Sequence, residues 1–148
     1  MKYFAYGSNM DPLQMKQRGV EFSERIHAFL RGYTLRFNKI ATKNAQEGEG
    51  KGNIIKNENE VVEGTLYDGI SAAGMKTLRE NEGGYNEKTV TVELDNGERL
   101  EAVASIARDD RIREGLKPTK KYLKHYLAAQ DILSKPYMQK LRSIETLD

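Results

Sequence analysis

The chain has 148 residues, of which 38% are hydrophobic and 31% are charged, values typical of one globular domain with a real core. Its 24 Lys and Arg residues nearly balance its 22 Asp and Glu residues, so nucleic acid is not expected as a partner, because binding it requires a concentrated basic face. The chain has no cysteine, which excludes disulfides, thiolate nucleophiles and cysteine-based zinc sites.

The sequence carries no sign of export or of membrane insertion. Its first residues do not form a basic segment followed by an apolar run, as a signal peptide would. No stretch approaches the ~20 apolar residues that a membrane span requires. We therefore expect a cytoplasmic protein with no membrane partner.

The first predicted element is a strand over residues 2–6, which ends in the small polar cluster Gly7-Ser8-Asn9. A helix is predicted next, because Asp11 can cap its first turn and Pro12 suits its first position. Gly19 can end that helix in the left-handed conformation. The cluster between strand and helix is a tight bend rich in amide groups.

A second strand is predicted over residues 28–38, where hydrophobic residues alternate. One face of that strand collects Phe29, Arg31, Tyr33, Leu35 and Phe37. Residues 41–60 are rich in Gly, Asn, Glu and Lys and predict a mobile loop around a short ordered piece near Ile54-Ile55. Residues 61–69 predict a further strand, in which Gly64 marks a place where another group approaches the backbone.

A helix and a hairpin are predicted for the centre of the chain. Ser71 can cap a helix that runs through Leu78 and stops at Gly83-Gly84. Residues 89–94 and 99–107 alternate on either side of a turn that contains Asn-Gly, the strongest short-range signal for a hairpin.

Two C-terminal helices complete the predicted elements, the first capped by Thr119 and the second following Ser134 and Pro136. Their apolar faces are formed by Tyr122, Leu123, Tyr126 and Leu127 and by Tyr137, Met138, Leu141 and Ile144. Strands and helices are mixed, at least one strand pair is antiparallel, and no repeat or linker is apparent. The sequence predicts one α+β domain over residues 1–148.

Glu82 is a candidate for acid–base chemistry. It ends the predicted helix directly before Gly83-Gly84, and the partial negative charge at a helix C-terminus should raise the pKa of its carboxyl group. A carboxylate with a raised pKa is a better general base near neutral pH, and the glycines leave room for a ligand. The alternative is an exposed residue beside a simple helix end, and Glu80 is as plausible by residue type alone.

The bend at Gly7-Ser8-Asn9 also has two interpretations. It is either a simple connection or a cradle of backbone N–H groups that binds an anion such as a carboxylate. Asp11 works against the cradle, because its side chain competes for the same helix amides. His27 and His125 have no second ligand at a metal-binding spacing and Asp109-Asp110 is an isolated pair, so we expect no metal and no cofactor.

Four segments together resemble the γ-glutamylcyclotransferase family. They are YFAYGSN at 3–9, VVEGTLYDG at 61–69, NEGGY at 81–85 and KPTKKYL at 117–123, and they follow the family's order and spacing from Tyr3 to about Leu147. Asn9 makes the chain more similar to the general, AIG2-like branch than to the glutathione-specific branch. The resemblance implies a small mixed β-barrel flanked by helices, with the active cavity at the barrel mouth.

The resemblance also implies roles for individual residues. Backbone amides of the first loop would hold the α-carboxylate of a γ-glutamyl substrate, which makes the whole loop substrate-binding: Tyr3, Phe4, Ala5, Tyr6, Gly7, Ser8 and Asn9. The family's catalytic glutamate precedes a glycine in the turn after the short helix, a position that matches Glu82 and not Glu80. Tyr122 matches a tyrosine that lines the family's pocket, and core packing is the alternative for its ring.

The implied reaction is an intramolecular cyclisation of a small γ-glutamyl substrate, without cofactor or metal. Glu82 would take a proton from the α-ammonium group, the amine would attack the γ-carbonyl, and 5-oxoproline and a free amine would be released. One alternative is a module of the same fold that binds a small carboxylate without turnover; another is a structural or oligomer-forming protein with no pocket. The sequence does not identify the leaving amine, and it is compatible with a homodimer.

Overall fold

The computed structural model describes residues 1–148. Its strands are β1 (Tyr3–Ala5), β2 (Glu24–Ile40), β3 (Gly50–Asp68), β4 (Tyr85–Leu94) and β5 (Arg99–Ala107). Its helices are α1 (Pro12–Gln17), α2 (Ala72–Asn81), α3 (Lys120–Leu127) and α4 (Lys135–Arg142), with short 3-10 helices at Ser8–Met10 and Asp109–Arg111. None of the helices combines the length and the apolar character needed to cross a bilayer.

The five strands close into a barrel in the order β1-β3-β2-β4-β5. All neighbouring strands are antiparallel except β1 and β5, which pair in parallel through Tyr3 and Val103. The short β1 therefore closes the gap between β3 and β5. The predicted small mixed barrel flanked by helices is confirmed.

Two hydrophobic cores lie on the two faces of this closed sheet. Successive side chains of β1 alternate between them, as strand geometry requires: Tyr3 and Ala5 join one core, and Phe4 and Tyr6 join the other. The core that contains Phe4 is built from strand residues and fills the barrel. The other lies between the barrel and the helices, to which α1 to α4 contribute Met15, Met75, Tyr126 and Leu141.

Local signals place most elements where they were predicted. Asp11, Ser71 and Thr119 each accept a hydrogen bond from a backbone N–H of the first helical turn, at 3.0 to 3.1 Å. These bonds satisfy donors that have no partner within the helix. The hairpin is formed by β4 and β5, and Gly97 in its turn has a φ of +86°.

The predicted loop over residues 41–60 is wrong for most of its length. Strand β3 begins at Gly50 and pairs with β2 along a long hairpin, so the connection covers only residues 41–49. The glycines in this stretch serve close packing, not mobility. A Cβ at Gly50 would collide with the carbonyl oxygen of Phe37, and one at Gly52 would collide with the hydroxyl of Tyr126.

Gly64 lies where another chain segment approaches the backbone, as predicted. A Cβ there would collide with the carbonyl oxygen of Ala5 and lie 2.8 Å from the Phe4 ring. Because both neighbours are completely buried, neither has room to move. We expect Gly64→Ala to lower the free energy of unfolding by about 1–3 kcal/mol, the usual cost of overpacking.

Urea denaturation of Gly64→Ala checks this expectation. Gly83→Ala is the control, because a Cβ at Gly83 meets no atom within 4 Å and the residue does not have a positive φ. Equal stability of the two variants would contradict the close packing of β1 against β3.

Candidate active site

A small cavity lies at one end of the barrel, where β1 and β5 end and β3 and β4 begin. It leaves about 30 Å³ for the centre of a water molecule to occupy. Its lining comes from distant parts of the chain: Tyr3, Tyr6, Gly7, Ser8, Asn9, Gly52, Glu82, Tyr85, Ser105 and Tyr122. Seven of the nine residues predicted for the site line this cavity; Phe4 and Ala5 do not.

The side chains of Phe4 and Ala5 are buried in the two hydrophobic cores and do not reach the cavity. Phe4 is fully buried in the barrel core, and Ala5 is buried against the helices. His27 and His125 also lie elsewhere, bonded to carboxylates, with His27 between Asp95 and Glu63. None of these four residues is placed to contact a ligand in the cavity.

Glu82 follows the last residue of α2, and its side chain turns back toward the N-terminal bend. Its Oε1 accepts a hydrogen bond from Asn9 Nδ2 at 2.8 Å and a longer one from the hydroxyl of Tyr3 at 3.4 Å. Glu80, on the same helix, is exposed and does not line the cavity. The tertiary structure thus separates two glutamates that residue type alone could not distinguish.

The amide of Asn9 has one orientation only. Its Oδ1 accepts hydrogen bonds from Arg18 Nη1 at 2.7 Å and from Gln14 Nε2 at 3.0 Å, so its Nδ2 must be the group that faces Glu82 and Tyr3. The side chain is 3% exposed, and every polar atom of the amide has a partner. Neither Arg18 nor Gln14 was singled out in the sequence, since their role depends on how α1 packs beside the bend.

Burial is the main influence on the acidity of Glu82. It raises the pKa of the Glu82 carboxyl group above its ordinary value of 4.5, while the charges and hydrogen bonds of Arg18, Tyr3, Lys39 and Asn9 oppose the rise. The sequence suggested the same direction for the pKa, from the negative end of the helix. In the structure the direction arises because the carboxylate leaves water, which disfavours its charged form.

The backbone N–H groups of Gly7, Ser8 and Asn9 have no acceptor within the protein. They precede and begin the short 3-10 helix, where N–H groups lack partners within the helix. Asp11 does not compete for them, because its carboxylate accepts from Leu13 N at 3.0 Å and contacts His125. Three successive amides without a protein acceptor, in residues that line the cavity, are donors that suit an anion.

Tyr85, Tyr122 and Gly52 form a second part of the lining, the tyrosine wall, and Tyr126 lies behind it. The hydroxyl of Tyr85 donates to the carbonyl of Gly52 at 2.6 Å, and the N–H of Gly52 donates to the hydroxyl of Tyr122 at 3.0 Å. The hydroxyl of Tyr122 also lies 3.0 Å from that of Tyr126. The two alternatives for Tyr122 are therefore both present, because its ring packs against Phe37 and Tyr126 while the residue lines the cavity.

Gly52, Tyr85 and Ser105 complete the lining but were not identified from the sequence. For Gly52, the only signal in the sequence was a second glycine two positions earlier, at Gly50, since residues two apart lie on the same face of a strand. Ser105 contributes through its backbone as well, since its carbonyl accepts a short hydrogen bond from the hydroxyl of Tyr6. These residues come together only when β3, β4 and β5 meet at the end of the barrel.

The family model for AIG2-like gamma-glutamyl cyclotransferases matches residues 3–126. This match includes the bend, Glu82 and Tyr122 and covers well over half of the chain. The chain therefore belongs to the AIG2-like gamma-glutamyl cyclotransferase family. No curated protein sequence is significantly similar to it.

Solved structures share this fold over nearly the whole chain. An uncharacterized human protein is 24% identical with a TM-score of 0.84, and the match covers 99% of this chain and 89% of that one. A gamma-glutamyl cyclotransferase is 23% identical with a TM-score of 0.85, covering 100% and 89% of the two chains. YkqA from Bacillus subtilis is 24% identical with a TM-score of 0.83, and the match spans 99% of this chain but 55% of YkqA.

The raised pKa of Glu82 should be visible in protein stability. The folded state holds the proton of Glu82 more tightly than the unfolded state, so ionisation costs stability as the pH rises from about 4.5 through the higher folded-state pKa. Glu82→Gln cannot ionise at this position. We expect its free energy of unfolding, relative to the parent protein, to increase across this pH interval and then level off.

Urea denaturation at a series of pH values measures this difference. Glu80→Gln removes an exposed carboxylate from the same helix and should follow the parent protein throughout. A difference for Glu82→Gln that shrinks as the pH rises would mean that the folded state lowers the pKa of Glu82.

Proposed function

We propose that this protein is a γ-glutamylcyclotransferase that converts a γ-glutamyl compound into 5-oxoproline and a free amine. The observation that carries the proposal is that the Glu82 carboxylate and the free amides of Gly7, Ser8 and Asn9 line the same small cavity. Membership of the AIG2-like gamma-glutamyl cyclotransferase family supports a cyclotransferase-type enzyme. The reaction needs one anion-binding site and one proton carrier, and these are the two groups present.

The free amides supply the substrate-binding part of this proposal. The α-carboxylate of the γ-glutamyl group accepts hydrogen bonds from the three N–H groups, which then fix the position of the neighbouring α-ammonium group. Glu82 faces the same space and receives that ammonium group through a charge-assisted hydrogen bond. The walls formed by Tyr85 and Tyr122 limit the space, so that the γ-carbonyl is held close to the amine.

Proton transfer through Glu82 then drives ring closure. Glu82 takes one proton from the α-ammonium group, and the freed amine attacks the γ-carbonyl carbon to form the new C–N bond of the five-membered ring. Glu82 passes its proton to the departing nitrogen as the original C–N bond breaks, and the second proton lost by the ring nitrogen leaves with the released amine as an ammonium group. A raised pKa suits this exchange, since the same group must accept and donate a proton near neutral pH.

The nucleophile belongs to the substrate, so the protein contributes mainly position and one proton. Holding two reacting groups of one molecule in contact can itself supply a large part of the rate enhancement. Asn9 keeps Glu82 oriented through its 2.8 Å hydrogen bond. Neither a covalent intermediate nor a cofactor is required by this chemistry.

Replacement of the proton carrier tests the reaction. We expect Glu82→Gln to fold and to lower kcat for 5-oxoproline release by about 10²–10⁴-fold, the usual contribution of general acid–base catalysis. The measurement is 5-oxoproline formation from a set of γ-glutamyl amino acids and amines. Glu80→Gln is the matched control, and we expect its turnover to equal that of the parent protein.

Two results would contradict the proposal. Undiminished turnover in Glu82→Gln would remove Glu82 from the proton-transfer role. Binding of γ-glutamyl compounds by the parent protein without any 5-oxoproline would instead identify the alternative function, a module that binds small carboxylates.

The role of the loop amides is tested by removing one N–H group. Ser8 is the first residue of the 3-10 helix, a position that tolerates proline, and its N–H has no protein acceptor. Ser8→Pro therefore deletes one proposed hydrogen bond to the α-carboxylate. We expect kcat/KM to fall about 10- to 100-fold, because a hydrogen bond to a charged group is worth about 1.5–3 kcal/mol.

Ser8→Ala is the control for Ser8→Pro. Both variants lose the hydrogen bond that Gln14 donates to the Ser8 hydroxyl at 2.9 Å, but Ser8→Ala keeps the backbone N–H. Equal kcat/KM values for the two variants would show that this amide does not bind the substrate.

A further inference from the structure

Gln14 and Arg18 both direct their side chains at the amide oxygen of Asn9. They lie four residues apart, on the same face of α1 and of the residue that caps its end. Arg18 Nη1 donates to this oxygen at 2.7 Å and Gln14 Nε2 at 3.0 Å. Arg18 forms no salt bridge, and the oxygen of Asn9 is the one hydrogen-bond acceptor that its guanidinium group contacts. Its positive charge is therefore directed at an uncharged amide that lines the cavity, and not at a carboxylate.

The contact with Arg18 makes the opposite orientation of the Asn9 amide unfavourable. An amide has a donor end and an acceptor end of nearly the same shape, so half a turn about its last bond exchanges the two. The reversed amide would present its oxygen to the Glu82 carboxylate and its N–H groups to Arg18 and Gln14, which are themselves donors. Buried polar groups would lose their partners on both sides. Arg18 contributes more than Gln14 to this preference, because a hydrogen bond with a charged donor is stronger than one between neutral groups.

The direction of the Asn9 amide also fixes the direction of the Tyr3 hydroxyl group. Asn9 Nδ2 donates to the oxygen of Tyr3 at 3.1 Å, which leaves the hydroxyl hydrogen of Tyr3 free to point at Glu82 Oε1, 3.4 Å away. A reversed amide would instead accept that hydrogen. Arg18 thus directs two donors at Glu82, although it makes no hydrogen bond to the carboxylate itself.

The two oxygens of the Glu82 carboxylate consequently differ. Oε1 accepts both hydrogen bonds, from Asn9 at 2.8 Å and from Tyr3 at 3.4 Å, whereas Oε2 has no donor within the protein. A carboxylate oxygen has two lone pairs, and both lone pairs of Oε1 are occupied. A general base needs a lone pair within hydrogen-bond reach of the proton that it removes. Oε2 is the oxygen that can meet this requirement.

We propose that Arg18 is a positioning residue, which fixes the direction of the Asn9 amide and so reserves Glu82 Oε2 as the atom that takes up and passes on the proton of the substrate. This inference rests on the proposed cyclotransferase function and adds to it a residue that does not line the cavity. Arg18 acts only through Asn9, and its removal should affect turnover more than substrate binding.

The pH dependence of kcat is a readout that a purely structural role of Arg18 would not change. Glu82 must be ionised to accept the proton, and Arg18 and Lys39 are the two cations that counteract the rise of the Glu82 pKa caused by burial. Loss of Arg18 removes its charge and the direction of two donors, so the pKa of Glu82 rises further. The acidic limb of the kcat profile then moves to higher pH.

No other group that faces Glu82 titrates over the acidic limb. These groups are tyrosines, and burial raises the pKa of each one above its ordinary value, so that all of them are neutral there: Tyr3, Tyr6, Tyr85 and Tyr122. Lys39 is a cation throughout this pH range and is unchanged in every variant below. A moved acidic limb therefore reports Glu82.

Arg18→Met tests the proposal, because it removes the guanidinium group and keeps an unbranched side chain. The substrate is the γ-glutamyl compound that the parent protein converts fastest, and 5-oxoproline release is measured over a series of pH values. We expect kcat near neutral pH to fall about 10- to 100-fold, the range for a hydrogen bond to a charged group, with a smaller change in KM and an acidic limb at higher pH. Lys16→Met removes one positive charge from an exposed position of α1 and should leave kcat and its pH profile unchanged.

A double-mutant cycle separates an effect through Asn9 from a direct effect of the charge on Glu82. Asn9→Leu keeps the approximate size of the side chain and removes both of its polar ends. Because residues that act through one shared contact do not have additive effects, Arg18→Met in the Asn9→Leu background should change kcat by less than about 2-fold.

Gln14→Leu provides a second measurement should Arg18→Met fail to fold. It removes the other donor to the Asn9 oxygen and should lower kcat about 2- to 10-fold, the range for a hydrogen bond between neutral groups. Ser8→Ala is its control, because Gln14 also donates to the Ser8 hydroxyl. A kcat for Gln14→Leu equal to that of Ser8→Ala would contradict the orienting role of the donors to Asn9.

The possible failures have different signatures. A fall in kcat for Arg18→Met that is equally large in the Asn9→Leu background would show that Arg18 acts on Glu82 directly, and would overturn the positioning role. A lower kcat with an unmoved acidic limb, or an undiminished kcat, would also overturn it and would leave the cyclotransferase function intact. Absence of 5-oxoproline with the parent protein would overturn the function, and the inference with it.

Discussion

The hydrogen bond from Asn9 Nδ2 to Glu82 connects the N-terminal bend with the end of α2, 73 positions along the chain. The bond has a defined direction only because Arg18 and Gln14 occupy the oxygen of the same amide. A network in which every polar atom is satisfied holds its members in one arrangement. The orientation of Glu82, and with it any chemistry in the cavity, depends on this short chain of contacts from α1.

The electrostatics of the cavity result from burial opposed by positive charge. Burial raises the pKa of Glu82, while Arg18 on one side and Lys39 on the other counteract the rise. A carboxylate without these cations would be more fully protonated, and one in water would be fully ionised at neutral pH. Lys39 itself has a cost, since it is buried and forms no salt bridge, with only the ring of Tyr85 lying near its ammonium group, at 5.2 Å. Such sites sacrifice some stability for function.

Closure of the barrel is the second constraint. The three residues of β1 pair with both β3 and β5, and this closure brings the bend to the same end of the barrel as Tyr85 and Ser105. Gly52 then lies so close to Tyr126 that no side chain fits. The backbone N–H of Gly52 donates to the hydroxyl of Tyr122, and its carbonyl accepts from the hydroxyl of Tyr85, so this residue fixes both tyrosines of the wall. A glycine that is typical of a loop in the sequence is thus a structural component of the cavity.

The sequence by itself determined what depends on neighbours along the chain: the caps at Asp11, Ser71 and Thr119, the Asn-Gly hairpin, and the family to which the bend and the Glu-Gly turn belong. These signals are local, because a cap or a turn involves residues a few positions apart. Only the tertiary structure decided that polar residues 50–60 form a strand, that Phe4 and Ala5 lie outside the cavity, and that Lys39 stands beside it. Each of these depends on contacts across the closed barrel, where residues far apart in sequence set one another's burial and charge.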